Sequence, residues 1–163
     1  MEIRLATKDD LLDMRKVFDY GREVQVKTGN LNQWAKGYPA DEVIVADIEA
    51  DAAYVCMDDE EELVGVISVF TDPDPTYEKI DGQWLNDRPY ATIHRIATNG
   101  KIKGLGQTLI KWVQEQHDDV RIDTHEDNQP MKYVVQKLGF EFCGIIYLAN
   151  GDPRNAYHYS KKN

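Results

Sequence analysis

The short segment from Lys101 to Gly106 constrains the fold more than any other part of this sequence. The residues before it, 90–98, have the apolar and β-branched pattern of a strand, whereas 105–116 carry apolar residues at helical spacing. Glycines in such a turn let the backbone approach a ligand closely, and a helix that begins there directs free N–H groups toward it. Because this geometry binds phosphate, the segment predicts a phosphate site, although a plain tight connection has the same pattern.

Two common nucleotide motifs fit this segment poorly. A phosphate-binding P-loop needs Gly-Lys followed by Ser or Thr, which is not found here. The dinucleotide fingerprint needs a third small residue where this chain has Leu109, although Asp123 follows at the place of a ribose-binding acid. A predicted hairpin precedes the segment and few residues follow it, so a dinucleotide-binding protein is only a remote alternative.

The remaining elements predict a mixed α/β (α+β) fold in one domain, residues 1–163. We expect a mostly antiparallel sheet of about seven strands with flanking helices, because strands dominate the middle of the chain and helices are interspersed. The segment 72–89 is long, polar and proline-containing, which favours a mobile or functional loop. The predicted strands are 2–6, 52–57, 62–71, 90–98, 120–124, 140–148 and 155–160, and the predicted helices are 8–20, 41–50, 105–116 and one between Asn128 and Gly139, with 21–40 irregular.

Charge and composition exclude several classes of partner. The formal net charge is -10, so we expect neither nucleic acid nor anionic membrane as a partner. Charged residues begin at Glu2 and the apolar runs are short, which predicts a cytoplasmic protein with no signal peptide and no membrane span. Cys56 and Cys143 lie in strand-like runs, which predicts buried free thiols. The sequence contains no His/Cys cluster, so we expect no metal site.

Two motifs resemble a known family. The run HRIA followed by KIKGLGQTLI resembles the acetyl-CoA signature of the GNAT superfamily of N-acetyltransferases, and residues 128–140, NQPMKYVVQKLGF, resemble its second conserved stretch. The resemblance covers nearly the whole chain and implies a GNAT-like sheet that splays between its fourth and fifth strands, here 90–98 and 120–124. It also implies transfer of an acetyl group from acetyl-CoA to a primary amine by direct attack. The acceptor would be a small-molecule or peptide amine, and a homodimer is compatible with the family analogy.

The resemblance assigns cofactor contacts to two segments and one helix start. Backbone groups of 96–98 would pair with the pantetheine arm, the amides of 102–106 would hold the pyrophosphate, and Asn128 would face the pantetheine or acetyl end. The cofactor-binding residues so implied are Ile96, Ala97, Thr98, Lys101, Ile102, Lys103, Gly104, Leu105, Gly106, Gln107 and Asn128.

The chain departs from the family pattern at three places. Lys101 stands where Gln or Arg is usual, and the turn before it is about two residues shorter than usual. Val135 stands where the family often has a tyrosine that protonates the leaving thiolate, and Tyr133 would point elsewhere on the helix. The missing tyrosine keeps a second function open, a non-catalytic acyl-CoA-binding or sensing module.

Acetyl transfer to an amine needs a base, because an ammonium group must lose a proton before it attacks. His94 is the first candidate, although a strand histidine bonded within the sheet would have the same sequence context. His125 beside Asp123 is the second candidate base, and Tyr147 or Tyr157 could supply the acid. The residues expected to contact the acceptor are Trp34, Tyr38, Glu78, Trp84 and Tyr77, of which Glu78 could also act as a base through a water.

Overall fold

The computed structural model describes residues 1–162, which form one eight-stranded sheet with four α-helices packed on it. The strands lie in the order β1-β2-β3-β5-β6-β8-β7-β4. Their bounds are β1 Glu2–Leu5, β2 Ala53–Met57, β3 Leu63–Phe70, β4 Asp81–Gly82, β5 Ala91–Thr98, β6 Asp119–Thr124, β7 Glu141–Tyr147 and β8 Pro153–Ser160. The mixed, mostly antiparallel sheet is confirmed. The expected number of about seven strands is one too low, because β4 is only two residues long.

The sheet opens between β5 and β6, its only parallel neighbours among the described strands. Their pairing begins at Ala91 and Val120 and stops at Ile93 and Ile122, so the second half of β5 has no partner on that side. Antiparallel strands join both flanks of this gap, with β3 beside β5 and β8 beside β6. The gap is the splay that the resemblance implies between 90–98 and 120–124.

The helices divide between the two faces of the sheet. The face that carries His94, Asp123 and Arg154, here called the front face, is covered by α1 (Leu11–Lys27) and α2 (Asp41–Glu49) and by the segment 74–90. The back face is covered by α3 (Leu105–Gln116) and α4 (Gln129–Lys137), which enclose the larger hydrophobic core. Among residues 1–162, no helix is long and apolar enough to cross a membrane.

The first long helix runs seven residues beyond its predicted end at residue 20. Gly21 suggested a break, yet it lies inside α1, where a Cβ would come within 3.1 Å of the Cβ of Ala97. Close contact between helix and strand therefore favours glycine at this position, and no turn is formed here. The helix ends only at Thr28 and Gly29, and the irregular stretch shortens to 28–40.

The segment 72–89 is packed onto the front face and is not a loose loop. It contains a short 3₁₀ helix, Pro75–Tyr77, and the strand β4, which pairs with β7. The Tyr77 side chain is 2% exposed and belongs to a core cluster with Ile146 and Ala156. Side chains buried in this way tie the segment to the sheet, and we expect this packing to limit its mobility.

Candidate functional site

A cavity of about 550 Å³ lies on the front face where β5 and β6 separate. The loop between α1 and α2, the ends of both strands, the start of α4 and the β7–β8 hairpin form its walls. Residues of opposite charge and two aromatic rings line it, among them Trp34, Tyr38, His94, Asp123, Asn128 and Arg154. Within residues 1–162, no three His, Cys, Asp or Glu side chains are grouped as a metal ion would require.

His94 lines this cavity and is held by Asp74. The Nε2 atom of His94 lies 2.8 Å from Oδ2 of Asp74, and the two side chains are 25% and 15% exposed. The other carboxylate oxygen of Asp74 accepts hydrogen bonds from the backbone N–H and the hydroxyl of Thr76. Burial alone would raise the pKa of Asp74, but the bonds from His94 and Thr76 outweigh it and lower this pKa to about 2. Asp74 is therefore an anion at neutral pH.

This hydrogen bond determines which nitrogen of His94 can act as a base. An ionised carboxylate only accepts, so Nε2 of His94 must carry the proton that it shares with Asp74. In the neutral imidazole the lone pair is then on Nδ1. The arrangement of an imidazole oriented by a partly buried carboxylate is one that general-base catalysis uses.

A bulge in β5 shapes the wall of the cavity next to His94. The pairing with β3 passes from Val66–Ala97 to Ser68–His94, so one extra residue lies on β5, and Arg95 adopts a φ of 48°. The guanidinium of Arg95 forms a two-point ion pair with Asp47 at 2.6 and 2.8 Å. Arg95 also donates to the hydroxyl of Tyr38 at 3.3 Å, which attaches this ring to the cavity wall.

The turn before α3 presents free backbone donors. Within residues 1–162, the amides of Ile102, Lys103, Gly104, Gly106 and Gln107 donate to no protein acceptor. Gly104 has a φ of 76°, and a Cβ at this position would meet nothing within 4 Å. Free N–H groups at a helix N-terminus, beside open space, are the arrangement that binds phosphate. Leu105 and Ile102 hold the turn down by packing into the back core.

The other residues expected to contact the cofactor differ in how free they are to bind it. Ile96, Ala97 and Thr98 lie on the part of β5 that β6 leaves unpaired. Lys101 is not free, because its Nζ lies 2.6 Å from Glu62, so part of its charge is already neutralised. Asn128 caps α4 by accepting from the amide of Met131, and its Nδ2 donates to Gln33.

Gln33 joins the α1–α2 loop to the end of β6. Its Oε1 accepts hydrogen bonds from Asn30, Thr124 and Asn128 side chains at 2.9, 3.1 and 3.0 Å and from the His125 amide at 3.3 Å. These donors converge on one carbonyl oxygen at the side of the cavity. The Gln33 amide therefore contributes to the position of the loop 28–40, together with the contacts of Trp34 and Tyr38.

The structure brings together only part of the expected catalytic and substrate set. Trp34 and Tyr38 line the cavity with His94. Glu78 and Tyr147 line a second hollow of about 350 Å³, and Tyr147 is 51% exposed there. Trp84 lies away from both, because its indole stacks on Arg121 and donates to the carbonyl oxygen of Tyr77.

The other candidates have structural partners. His125 does not line the cavity, and its Nδ1 accepts from the Asp127 amide in the turn before α4. Tyr77 is buried and donates to Asp123 at 2.6 Å, whereas Tyr157 is buried on the back face. Val135, at the position of the family's tyrosine, is fully buried in the back core.

Four residues of the cavity region were missed from the sequence: Asp74, Arg95, Arg154 and Gln33. Only Asp74 had a local signal, because Asp-Pro-Thr is typical of a helix N-cap, and Asp74 does cap the 3₁₀ helix. Its pairing with His94, twenty positions along the chain, depends on how the segment 72–89 folds back over the sheet.

Comparisons with known proteins agree with this geometry. A search of curated protein sequences finds no match. A GNAT-family acetyltransferase from Streptococcus agalactiae 2603 has 33% identity and a TM-score of 0.88, over 99% of this chain and 96% of that chain. The ribosomal-protein-S18-alanine N-acetyltransferase of Escherichia coli has 10% identity and a TM-score of 0.64, over 98% and 92%.

A third structure, the NatC complex bound to Gag peptide and CoA, has 15% identity and a TM-score of 0.64, over 98% of this chain and 99% of that chain. At 10% and 15% identity these last two comparisons show the fold alone. The model of the acetyltransferase (GNAT) family matches residues 14–140, which include the strand, turn and helix around Gly104 and the helix that Asn128 caps. The chain belongs to the GNAT acetyltransferase family.

Proposed function

We propose that this protein is an acetyl-CoA-dependent N-acetyltransferase that acetylates a primary amine by direct attack. The observation that carries the proposal is that His94, on the wall of the cavity at the splay, is paired with Asp74 at 2.8 Å. Such a pair has little use in a module that only binds. It suits a site where an ammonium group must give up a proton.

The residues around the splay fit acetyl-CoA. The free amides of 102–107 suit a pyrophosphate, and the unpaired edge of β5 suits an extended pantetheine arm, which could bond to it as a strand would. When bound, acetyl-CoA supplies an acetyl group activated as a thioester. The NatC complex, a neighbour in fold, was determined with CoA bound.

The chain's own groups would then act on the acceptor. Nδ1 of His94 takes the proton from the ammonium group, and Asp74 holds the ring and stabilises the imidazolium that results. Trp34 and Tyr38 form the aromatic wall beside it, where a cation or an apolar body fits. Peptides are candidate acceptors, because two neighbours in fold are a ribosomal-protein-S18-alanine N-acetyltransferase and a complex bound to a peptide. A small amine is a candidate as well, because the cavity of about 550 Å³ has room for one.

The test is thiol release from acetyl-CoA with a library of amines and N-terminal peptides, followed by mass spectrometry of the products. Replacing His94 with Ala or Gln should lower turnover by about 100- to 10,000-fold. Acetyl-CoA affinity, measured by calorimetry, should change little because backbone amides hold the cofactor. Nearly full activity of His94→Gln would assign His94 a structural role and refute this mechanism.

One observation favours a second function, the non-catalytic acyl-CoA-binding or sensing module. Val135 is 0% exposed in the back core, so the family's usual acid is missing from α4. Tight acetyl-CoA binding without thiol release for any amine in the library would support this alternative. Turnover with any acceptor would exclude it.

A further inference from the structure

Arg154 is a buried cation on the wall of the cavity that lacks an anionic partner. Its side chain is 5% exposed and lines the cavity. Its guanidinium donates to the backbone carbonyl oxygens of Pro153 at 2.8 Å and Gln33 at 3.3 Å. Among residues 1–162, no carboxylate lies within 4.0 Å of it.

Most of the other arginines have different surroundings. Four of them pair with aspartates, and Arg121, which is also buried without a carboxylate partner among residues 1–162, stacks between two aromatic rings at 4.1 and 3.9 Å and does not line the cavity. The pairs are Arg4 with Asp10, Arg15 with Asp41, Arg88 with Asp119 and Arg95 with Asp47. A buried guanidinium that has only carbonyl partners is costly, and an anion that enters the cavity would compensate it.

The position of Arg154 relative to His94 limits the size of such a ligand. Ile93 is level with Ile122, and Asp123 pairs with Ala156, so His94, Asp123, Ala156 and Arg154 share the front face. Two strand spacings across and two residues along separate the Cα atoms of His94 and Arg154 by at least about 12 Å, because β5 and β6 diverge beyond Ile93 and Ile122. Side chains that extend into the cavity from these positions leave room for a small molecule between them.

The acidic groups of the cavity complete the pattern. Asp123 lies on β6 between the strands of His94 and Arg154, and Asp152 lies in the β7–β8 hairpin. A ligand with a cationic end toward Asp123 and His94 and an anionic end toward Arg154 would match both charges. A plain amine or a polyamine would leave Arg154 uncompensated.

We propose that the acceptor is a small amine that also carries a carboxylate, such as a free amino acid, and that Arg154 binds this carboxylate. This inference rests on the proposed function, because it names the acceptor class of the same site. The guanidinium retains enough N–H groups for a two-point contact, since only two of its five donate to a partner within residues 1–162.

The experiment compares each free amino acid with its own amide in the presence of acetyl-CoA. The two compounds have almost the same shape, and only one carries the carboxylate. We expect kcat/KM for the free acid to exceed that for the amide by about 10- to 100-fold, the usual value of a charged hydrogen bond. The preference should be found mainly in KM. Equal kcat/KM for the two compounds, or a preference for the amide, would overturn the inference.

Variants locate the preference. Arg154→Met should abolish it, and Arg154→Lys should keep part of it, because lysine has the charge without the planar fork. The ratio of two kcat/KM values is independent of the folded fraction, so a destabilised variant still gives an answer. Arg88→Met, at an ion pair outside the cavity, should keep the full ratio. If Arg154→Met weakens acetyl-CoA binding and leaves the ratio unchanged, Arg154 serves the cofactor and the inference is wrong.

Failure of the proposed function has a different signature. If no compound releases thiol, calorimetry of the CoA-saturated protein with the same acids and amides still measures the preference. Binding of the acids alone, lost in Arg154→Met, would support the carboxylate site in a protein that is not a transferase. Equal or absent binding of both would overturn it.

Discussion

Replacing Asp74 with Asn tests the pair at the centre of the site by both stability and turnover. The carboxyl pKa falls from 3.8 to about 2 on folding. Each pH unit of such a difference contributes about 1.4 kcal/mol, so the ionised Asp74 stabilises the fold by about 2 kcal/mol. The sign follows from the lowered pKa: the contribution is complete above about pH 5 and is lost as the pH falls from about 4 to 2.

We therefore expect Asp74→Asn to lower the free energy of unfolding by about 2 kcal/mol at pH 5.5, measured in urea, by roughly half as much near pH 3, and by little near pH 2. Turnover should fall by up to about 10,000-fold, which is more than the loss of stability alone would cause. The amide group of Asn can donate to Nε2 of His94, and the ring proton then lies on Nδ1, which can no longer act as the base. Asp72→Asn, an exposed aspartate in the same segment, is the control and should change neither quantity. Equal effects of the two substitutions, at all pH values, would refute the reasoning.

Three further predictions concern the turn, the segment 72–89 and α4. Gly104→Val should weaken acetyl-CoA binding at least tenfold in calorimetry. The control Gly29→Val, at a glycine with a similarly positive φ of 90°, should have the same folding cost of about 1–2 kcal/mol and unchanged acetyl-CoA affinity. Equal acetyl-CoA affinities of the two variants would contradict this. Hydrogen exchange should show that the amide of Gln83 is protected even when no amine substrate is bound, because it donates to the carbonyl oxygen of Cys143 at 2.9 Å. Fast exchange of this amide would favour the mobile-loop hypothesis. Val135→Tyr should destabilise the protein by about 1–3 kcal/mol through overpacking and should not raise turnover; a faster enzyme would show that α4 can carry the acid.

Local patterns in the sequence predicted the elements that local chemistry determines. The glycine turn before α3, the Asn128 cap of α4 and the hairpin of β2 and β3 depend on residues close together in the chain, and all three are found. The same approach misjudged Gly21, because the reason for a glycine there is a contact with Ala97 on a distant strand. Tertiary contact, and not backbone conformation, favours that glycine.

The functional site was harder to predict, because its parts come from distant segments. His94 was identified as a candidate base from its residue type and its place just before the segment expected to pair with pantetheine, but its partner Asp74 could be found only once the segment 72–89 was placed on the sheet. The tyrosines and His125 were plausible from position along the chain. Their side chains are instead used for packing or for a turn, or lie in the second hollow, which no strand pattern could show.

Gln33 offers a test of the cavity wall that needs neither cofactor nor acceptor. Its Oε1 accepts from four donors, more than the two lone pairs of a carbonyl oxygen can serve well, so a more electron-rich acceptor should strengthen the cluster. Gln33→Met keeps the length of the side chain and removes its hydrogen-bond acceptor. It should cost about 1–3 kcal/mol in urea unfolding, because the Asn128 and Thr124 donors lose their partner.

Gln33→Glu should retain or exceed the stability of the unsubstituted protein at pH 7, since a carboxylate bonded by several donors is stabilised in its charged form. The pKa of the new carboxyl should then lie below its ordinary value. Its stabilisation should be complete above the unfolded pKa and should be lost as the pH falls through the folded one. If the Met variant is as stable as the Gln protein, or the Glu variant is less stable than the Met variant at pH 7, the four donors do not depend on this side chain. The loop 28–40 would then be held on the cavity by its other contacts, chiefly the packing of Trp34 against Phe18 and Tyr38.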